Sequence, residues 1–229
     1  MKDIVCKAVI AGAGNGFRME AKEKKQYIKI DGVPLIVHTV RNISKSDYVK
    51  EIIISAPKND IDAVEAMMKE YGCHKVKNVI SGGETRAESV RNGIMKTDNC
   101  DIILIHDGVR PFIGVKYINN CIEDALKYGA SVLGIMPKDT ILFKDSEGRI
   151  AEKIDRSMLI SVQTPQCFKT DIIKNAYENY VSTLTDDASQ VINRGGKVHI
   201  TEGDYMNIKI TTPDDLIIAN EYIKKIEQV

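Results

Sequence analysis

Short runs rich in Val and Ile alternate with amphipathic stretches along nearly the whole chain, and that alternation leaves few folds open. Ile4–Ala11, Glu51–Ala56, Val76–Ile80, Asp101–Ile105 and Ala130–Met136 are brief and almost wholly apolar, as strands buried on both faces of a parallel sheet must be. Between them Pro34–Ile43, Ile61–Tyr71, Arg86–Met95 and Val115–Tyr128 carry apolar residues at helical spacing. Strand and helix in alternation imply βαβ crossovers and an α/β, Rossmann-like, doubly wound and mostly parallel sheet.

One segment departs from this rhythm. Asp139–Asp155 reads as two short strands around a Ser146-Glu147-Gly148 turn, a hairpin rather than a crossover. Ile141, Leu142, Ile150 and Ile154 would stand exposed on such an arm unless they pack on something, and a second copy of the arm is the simplest partner. The chain is then expected to return to a helical stretch, with strands after it at Lys197–Thr201 and Asn207–Ile210 and a last helix from Pro213 capped by Thr212. No repeat or linker interrupts the 229 residues, so one domain spanning 1–229 is expected, with the arm at 139–156 as part of it.

Lys plus Arg and Asp plus Glu both total 32. That balance argues against nucleic acid or an anionic membrane as the main partner. No apolar run approaches the ~20 residues of a membrane span, and the N-terminal run is too short and glycine-rich for a signal peptide. Cys6, Cys73, Cys100, Cys121 and Cys167 are odd in number, scattered and never in a C-x-x-C pair, as in a cytoplasmic protein with reduced thiols. The four histidines are scattered too, and no zinc site is expected.

The first strand ends in Gly12-Ala13-Gly14-Asn15-Gly16-Phe17-Arg18-Met19. Glycines there let backbone N–H groups close around phosphate oxygens, although read alone the loop is equally a plain tight turn. The next residues separate the two readings. A Rossmann loop passes straight into a helix, whereas here a long polar segment, Glu20 to Tyr27, precedes strand-like Tyr27–Ile30, a turn at Asp31-Gly32 and a helix start at Pro34. A long loop carrying Arg18 and Lys25 beside a glycine cradle supplies cations to a polyphosphate and to a phosphoryl-transfer transition state. Of Lys22, Lys24 and Lys25, two are read as a solvated surface run.

Asp107 comes after an apolar strand and His106, at the carboxyl edge where α/β sheets place ligands, and is read as functional rather than as a helix cap. Arg110 is either a ligand contact or an ion-pair partner of nearby acids. Asp186 and Asp187 are read as caps of the next helix. His106 is expected to pack or bond backbone rather than to act as an acid or base.

These segments, in this order, resemble a known family. G-x-G-x-R-M with Lys25-Gln26-Tyr27 after it, then Gly82-Gly83-Glu84-Thr85-Arg86-Ala87-Glu88-Ser89-Val90, His106-Asp107-Gly108-Val109-Arg110-Pro111, Gln163-Thr164-Pro165-Gln166, Thr185-Asp186-Asp187-Ala188-Ser189 and Asn207-Ile208-Lys209-Ile210-Thr211 are similar to the methylerythritol-phosphate cytidylyltransferase family. The resemblance covers essentially the whole chain. It implies a GT-A-like nucleotidyltransferase fold, a homodimer clasped through the arm, and CTP bound with Mg²⁺ and a small polyol phosphate as acceptor. By motif position, Arg18 and Lys25 would be the transition-state cations, and Arg156 and Lys209 would hold the acceptor's phosphate. Asp107 would sit near the metal. Ala13, Gly83, Glu84 and Ser89 would surround cytosine and ribose, with Gly14, Asn15, Gly16, Arg86, Arg110 and Thr164 as further substrate contacts. Thr140 and Arg156 lie on or beside the arm, where a dimer would offer them to the neighbouring subunit.

Four positions depart from the family pattern: Lys24 stands for the usual proline, Gly108-Val109 for Ala-Ala, and Met206 for an aspartate. The close relatives that make CDP-ribitol share the glycine loop and Asn-Ile-Lys-Ile-Thr-Thr-Pro, so ribitol 5-phosphate is the alternative acceptor. A non-catalytic nucleotide sensor would be expected to lack Lys25, Arg156 or Lys209. A dinucleotide-dependent oxidoreductase would want an acid closing the second strand, where Ala56-Pro57-Lys58 stands.

Overall fold

The computed structural model describes residues 3–14 and 24–227. In chain order the elements are β1 (Cys6–Ala11), β2 (Lys29–Ile30), β3 (Val33–Pro34), α1 (Leu35–Ser44), β4 (Val49–Ala56), α2 (Ile61–Glu70), β5 (Val76–Ser81), α3 (Arg86–Ile94), β6 (Ile102–Asp107), α4 (Val115–Tyr128) and β7 (Ala130–Ile135). The second part of the chain holds β8 (Leu142–Lys144), β9 (Ile150–Lys153), β10 (Ser161–Lys169), α5 (Thr170–Glu178), α6 (Asp187–Asn193), β11 (His199–Glu202) and α7 (Pro213–Glu227).

Seven strands form one sheet in the order β11-β7-β10-β6-β1-β4-β5. All neighbours are parallel except at β10, which runs antiparallel to both β6 and β7. Because side chains alternate across a strand, β1 sends Ala8 and Ile10 to one face and Val9 to the other. On the first face they meet Ile36 and Val40 of α1 and Ile118 and Ile122 of α4. On the second, Val9, Ile103, Ile105 and Phe168 pack against α3, α5 and α6 through Val90, Ile94, Ile173 and Val191. Each fully buried Ile or Phe here contributes about 1.5–3 kcal/mol relative to leaving it exposed. A third cluster, Ile30, Leu35, Phe112, Ile210 and Ala219, seats α7.

The expected α/β architecture, the arm and the Asp31-Gly32 turn are all present. Asp31 and Gly32 have φ of 50° and 72°, as a tight hairpin between β2 and β3 requires. Asp215 and Thr212 cap α7 reciprocally: Asp215 N–H donates to Thr212 Oγ1, and Thr212 N–H to Asp215 Oδ2.

Two segments differ from expectation. After the arm the expected helical stretch, α5 and α6, is preceded by a 3-10 turn at Arg156–Met158 and by an unexpected strand, β10. Pro165 inside it argues against a central strand, because proline cannot donate to the ladder. The structure accommodates it in an irregularity, where the pairing with β7 shifts between Val162 and Gln166. Asn207–Ile210, expected as a strand, is irregular backbone tied down by Ile210 N–H to Val109 C=O at 3.0 Å. No described helix is long and apolar enough to cross a membrane.

β1 lies between β4 and β6, so successive crossovers leave it in opposite directions and a crevice opens at its carboxyl end. The strands end level there, with Ala11 opposite Ser55 on one side and Asp107 on the other. The loops after β1, β5 and β6 converge on that edge. A Cβ on Gly82 would lie 2.3 Å from that of Ala13, so only glycine lets the first two loops touch.

Candidate active site

Asp107, the last residue of β6, lies between two adjoining cavities. The first, of about 230 Å³, is lined by Ala13, Gly14, Lys25, Gly83, Glu84, Ser89 and Gln26, with Arg86, Asp107 and Lys209 at one side. The second, of about 510 Å³, shares Arg86, Asp107 and Lys209 and adds Arg110, Thr164 and Gln166, with an apolar wall of Ile160, Val162, Ile192 and Ile200. Thr140 and Arg156 line neither. They face a separate hollow at the root of the arm, where Arg156 Nη1 donates to Lys138 C=O at 3.2 Å. Arg18, Asn15 and Gly16 lie outside the described residues.

Three cations surround Asp107. Arg86 Nε donates to Oδ1 at 3.0 Å, Lys209 Nζ sits 2.9 Å from Oδ2, and Arg110 Nε is 3.6 Å from Oδ2. Burial by itself would raise the carboxyl's pKa, but the charges of Arg86, Lys209 and Arg110 outweigh it and hold it far below the ordinary range. Asp107 is therefore an anion at any working pH. Arg86 reaches further: its two terminal nitrogens fork onto Asp187 at 3.1 and 2.9 Å. Burial disfavours its charge, yet Asp187 and Asp107 together raise its pKa. Arg110 has one distant carboxylate, and there burial prevails and lowers the pKa. Removing Arg86 would leave the fully buried Asp187 without a cation, at a cost of roughly 3–5 kcal/mol.

The neighbours of Asp107 are fixed from below. Its N–H donates to Thr164 Oγ1 at 3.1 Å, and that hydroxyl also meets His106 Nδ1 at 3.0 Å. His106 Nε2 lies 3.1 Å from Arg110 C=O. A carbonyl can only accept, so Nε2 carries the ring hydrogen and donates to Arg110 C=O, and Nδ1 accepts the Thr164 hydroxyl proton. Burial pushes His106 down to about 4, leaving a neutral imidazole that links Thr164 to the Arg110 loop, in line with its expected packing role. Thr164 lines the second cavity with its hydroxyl already engaged. Ser89 is similar: Oγ accepts Gly83 N–H at 3.0 Å and donates to Thr85 C=O at 2.9 Å.

Several residues in this network hold roles that the sequence reading did not give them. Asp187 does not cap α6; it is fully buried and bonds Arg86 and Tyr177 Oη. Its place at the helix start is served by Gln166, whose Oε1 accepts the N–H groups of Asp187 and Ala188 at 3.1 and 2.8 Å. Gln26, buried beside Lys25, donates to Gly12 C=O at 2.9 Å and ties the returning loop to β1. Lys24 is not part of a solvated run, because its Nζ pairs with Asp60 at 2.6 Å, where Tyr27 Oη also donates. The departure from proline at that position thus supplies an anchor. Of these residues, Asp187, Gln166 and Gln26 stand inside the motifs quoted above, which is the signal that could have found them.

Whether the residues suit a divalent cation turns on the donor set. Among the described residues no group of three His, Cys, Asp or Glu side chains could hold a metal, and Asp187 is spent on Arg86. Asp107 alone offers a carboxylate at the junction. That set fits Mg²⁺ carried in by a polyphosphate, which typically needs only one or two protein carboxylates.

The comparisons with known proteins agree with this geometry. The family model for 2-C-methyl-D-erythritol 4-phosphate cytidylyltransferase (IspD) matches residues 6–225. The enzyme of that name from Clostridium acetobutylicum is 43% identical over 222 residues, covering 95% of this chain and 97% of its own. Its counterpart from Clostridium beijerinckii is 41% identical, with 96% and 98% covered. Among solved structures, 4-diphosphocytidyl-2C-methyl-D-erythritol synthase from Anaerococcus prevotii superposes with a TM-score of 0.84 at 29% identity, covering 97% of this chain and 100% of its own. The chain belongs to the 2-C-methyl-D-erythritol 4-phosphate cytidylyltransferase family.

Proposed function

We propose that this chain transfers the CMP group of CTP to the phosphate of 2-C-methyl-D-erythritol 4-phosphate, releasing pyrophosphate, a step of isoprenoid precursor synthesis by the non-mevalonate route. The observation that carries the reading is the junction itself: one carboxylate and two cations, Arg86 and Lys209, shared by a glycine-lined cavity and a second, larger one. CTP occupies the first cavity, with its phosphates toward Gly14 and Lys25 and its base near Ala13, Gly83 and Glu84. The acceptor occupies the second, and its phosphate rests on Lys209.

An acceptor phosphate oxygen attacks the α-phosphorus in line with the departing pyrophosphate. That oxygen is already ionised, so no general base is needed, and the engaged, neutral His106 is consistent with this. The barrier lies in gathering negative charge, and Lys25, with Arg18, provides preorganised cations for it. Mg²⁺ bound to the triphosphate would neutralise part of the same charge, with Asp107 as its protein ligand. Asp107 and Lys209 are already paired, which holds the ammonium at the boundary where acceptor and nucleotide meet.

The exposed arm supports a homodimer in which Thr140 and Arg156 serve the opposite site, within a single domain spanning 1–229. Balanced charge and free thiols support a cytoplasmic location. Family and relatives disfavour ribitol 5-phosphate as acceptor. Pyrophosphate release from CTP and Mg²⁺ with methylerythritol phosphate, ribitol phosphate or no acceptor tests the reading. Turnover only with the first is expected; equal or faster turnover with ribitol phosphate overturns the acceptor assignment.

A further inference from the structure

Asp187 touches neither substrate in the proposed transfer, yet its carboxylate is fully buried and committed to the site. Its Oδ1 accepts Arg86 Nη1 at 3.1 Å and Tyr177 Oη at 2.6 Å, and its Oδ2 accepts Arg86 Nη2 at 2.9 Å. Anchoring α6 does not require this carboxylate. Gln166 already takes the first N–H groups of that helix, and Asp186 bonds Ser189 Oγ. Burying a charge is costly unless it is paired and hydrogen-bonded, and here every side-chain bond of Asp187 leads to Arg86 or to the tyrosine that steadies it.

The consequence lies in the shape of the guanidinium. A free arginine prefers to meet a carboxylate with two parallel N–H bonds. Each terminal nitrogen gives a hydrogen to Asp187, and in the orientation this fixes Arg86 meets Asp107 through Nε alone, at Oδ1. Oδ2 is left to Lys209 at 2.9 Å, at the boundary of the two cavities. We propose that Asp187 is a positioning residue for the transfer reaction: by fixing the Arg86 fork it stops Arg86 from closing onto Asp107, and so keeps the Asp107–Lys209 pair open to both substrates. This rests on the proposed activity.

The test compares wild type, Asp187→Asn, Arg86→Lys and the double variant. Pyrophosphate release is measured with CTP and methylerythritol phosphate, and thermal unfolding is measured alongside. Asp187→Asn, nearly isosteric but uncharged, should lower kcat by about tenfold or more with a much smaller change in KM for CTP. Because it acts through Arg86, the double variant should be no slower than Arg86→Lys alone. Asp187→Glu should recover part of the lost kcat. Unchanged kcat in Asp187→Asn, or losses that multiply in the double variant, overturn the proposal even where the melting temperature falls. If Asp187→Asn does not fold, Tyr177→Phe, which removes one donor and keeps the charge, is measured against Arg86→Lys in the same cycle, and multiplying losses again overturn it. A wild-type enzyme inert with these substrates fails the activity reading; an active wild type with an indifferent Asp187 fails this inference alone.

Discussion

Around Asp107, charged side chains from α3, β6, α6 and the segment before α7 are packed together, with Asp107 and Asp187 almost wholly enclosed. Between Thr140 and Lys153, by contrast, almost every side chain is exposed. The junction joins residues as far apart as Arg86 and Asp187, and removing any one leaves the others with unbalanced charge. The arm is held by neighbours in sequence. Asp145 Oδ1 accepts the N–H groups of Glu147 and Arg149, Gly148 takes φ of 83°, and two short strands pair Leu142 with Lys153 and Phe143 with Glu152. Yet Ile150 is 72% and Phe143 57% exposed, and such a ribbon gains little from its own burial. Dense long-range ion pairing marks a cluster whose charges balance within one chain. The exposed apolar side chains of the ribbon are what support the proposed dimer.

This contrast is open to attack at both ends. Asp107→Asn strikes the junction hardest. It is expected to lower kcat by about a thousandfold, near the upper range for losing one preorganised electrostatic contact, and to reduce thermal stability because Arg86, Arg110 and Lys209 lose their common partner. A variant with near-normal turnover would show that the cluster is purely structural. Lys25→Ala should lower kcat by about a hundredfold while leaving CTP affinity nearly intact, since the effect belongs to the transition state. A rise in KM at constant kcat would instead assign Lys25 to ground-state binding.

The arm should respond differently. Ile141→Asp combined with Ile150→Asp is expected to give a monomer by light scattering, with the melting temperature of the sheet preserved and activity down by about tenfold or more, comparable to removing a positioned group. Mixing inactive Lys25→Ala and Arg156→Ala proteins sharpens this, because a shared site regains both cations in one of its two copies after subunit exchange. No recovery after exchange confirmed with a tagged subunit would leave Arg156 in its own subunit's service. The smallest effect belongs to Asp145→Ala in the arm's exposed turn, which should leave the melting transition of the sheet where it is. A clear drop would mean that the arm and sheet unfold as one unit.

The same contrast governs what the sequence could reveal. Buried parallel strands announce themselves in runs such as Asp101–Ile105, and the arm in its Ser146-Glu147-Gly148 turn, since both obey local rules. β10 was hidden because its proline obeys a rule about regular ladders, whereas the strand carries an irregularity at that point. Gly12 to Gly14, Lys25, Asp107 and Lys209 were legible as motif positions, and the fold does bring them to one crevice. The role of Asp187 was not. As the residue after Asp186 at a helix start it looks like a cap, and nothing local shows that its partner stands 101 positions earlier in sequence. Lys24 is deceptive for a related reason: a run of lysines looks solvated until Asp60 is seen beneath one of them.

The antiparallel strand in mid-sheet also sets the order in which such a molecule can be completed. β1, β4, β5 and β6 are mutual neighbours and can associate as soon as they exist, but β7 pairs only with β10 and β11, both still to come. Until residues 161–169 slide between β6 and β7, one flank of β6 presents unpaired backbone beside Ile103 and Ile105, an adhesive edge of the kind that drives aggregation. The same insertion delivers Thr164 to the N–H of Asp107 and Gln166 to the start of α6. One insertion thus closes the gap between β6 and β7 and supplies two supports of the crevice, while Asp187 on α6 and Lys209 ahead of α7 are added by segments that come later in the chain.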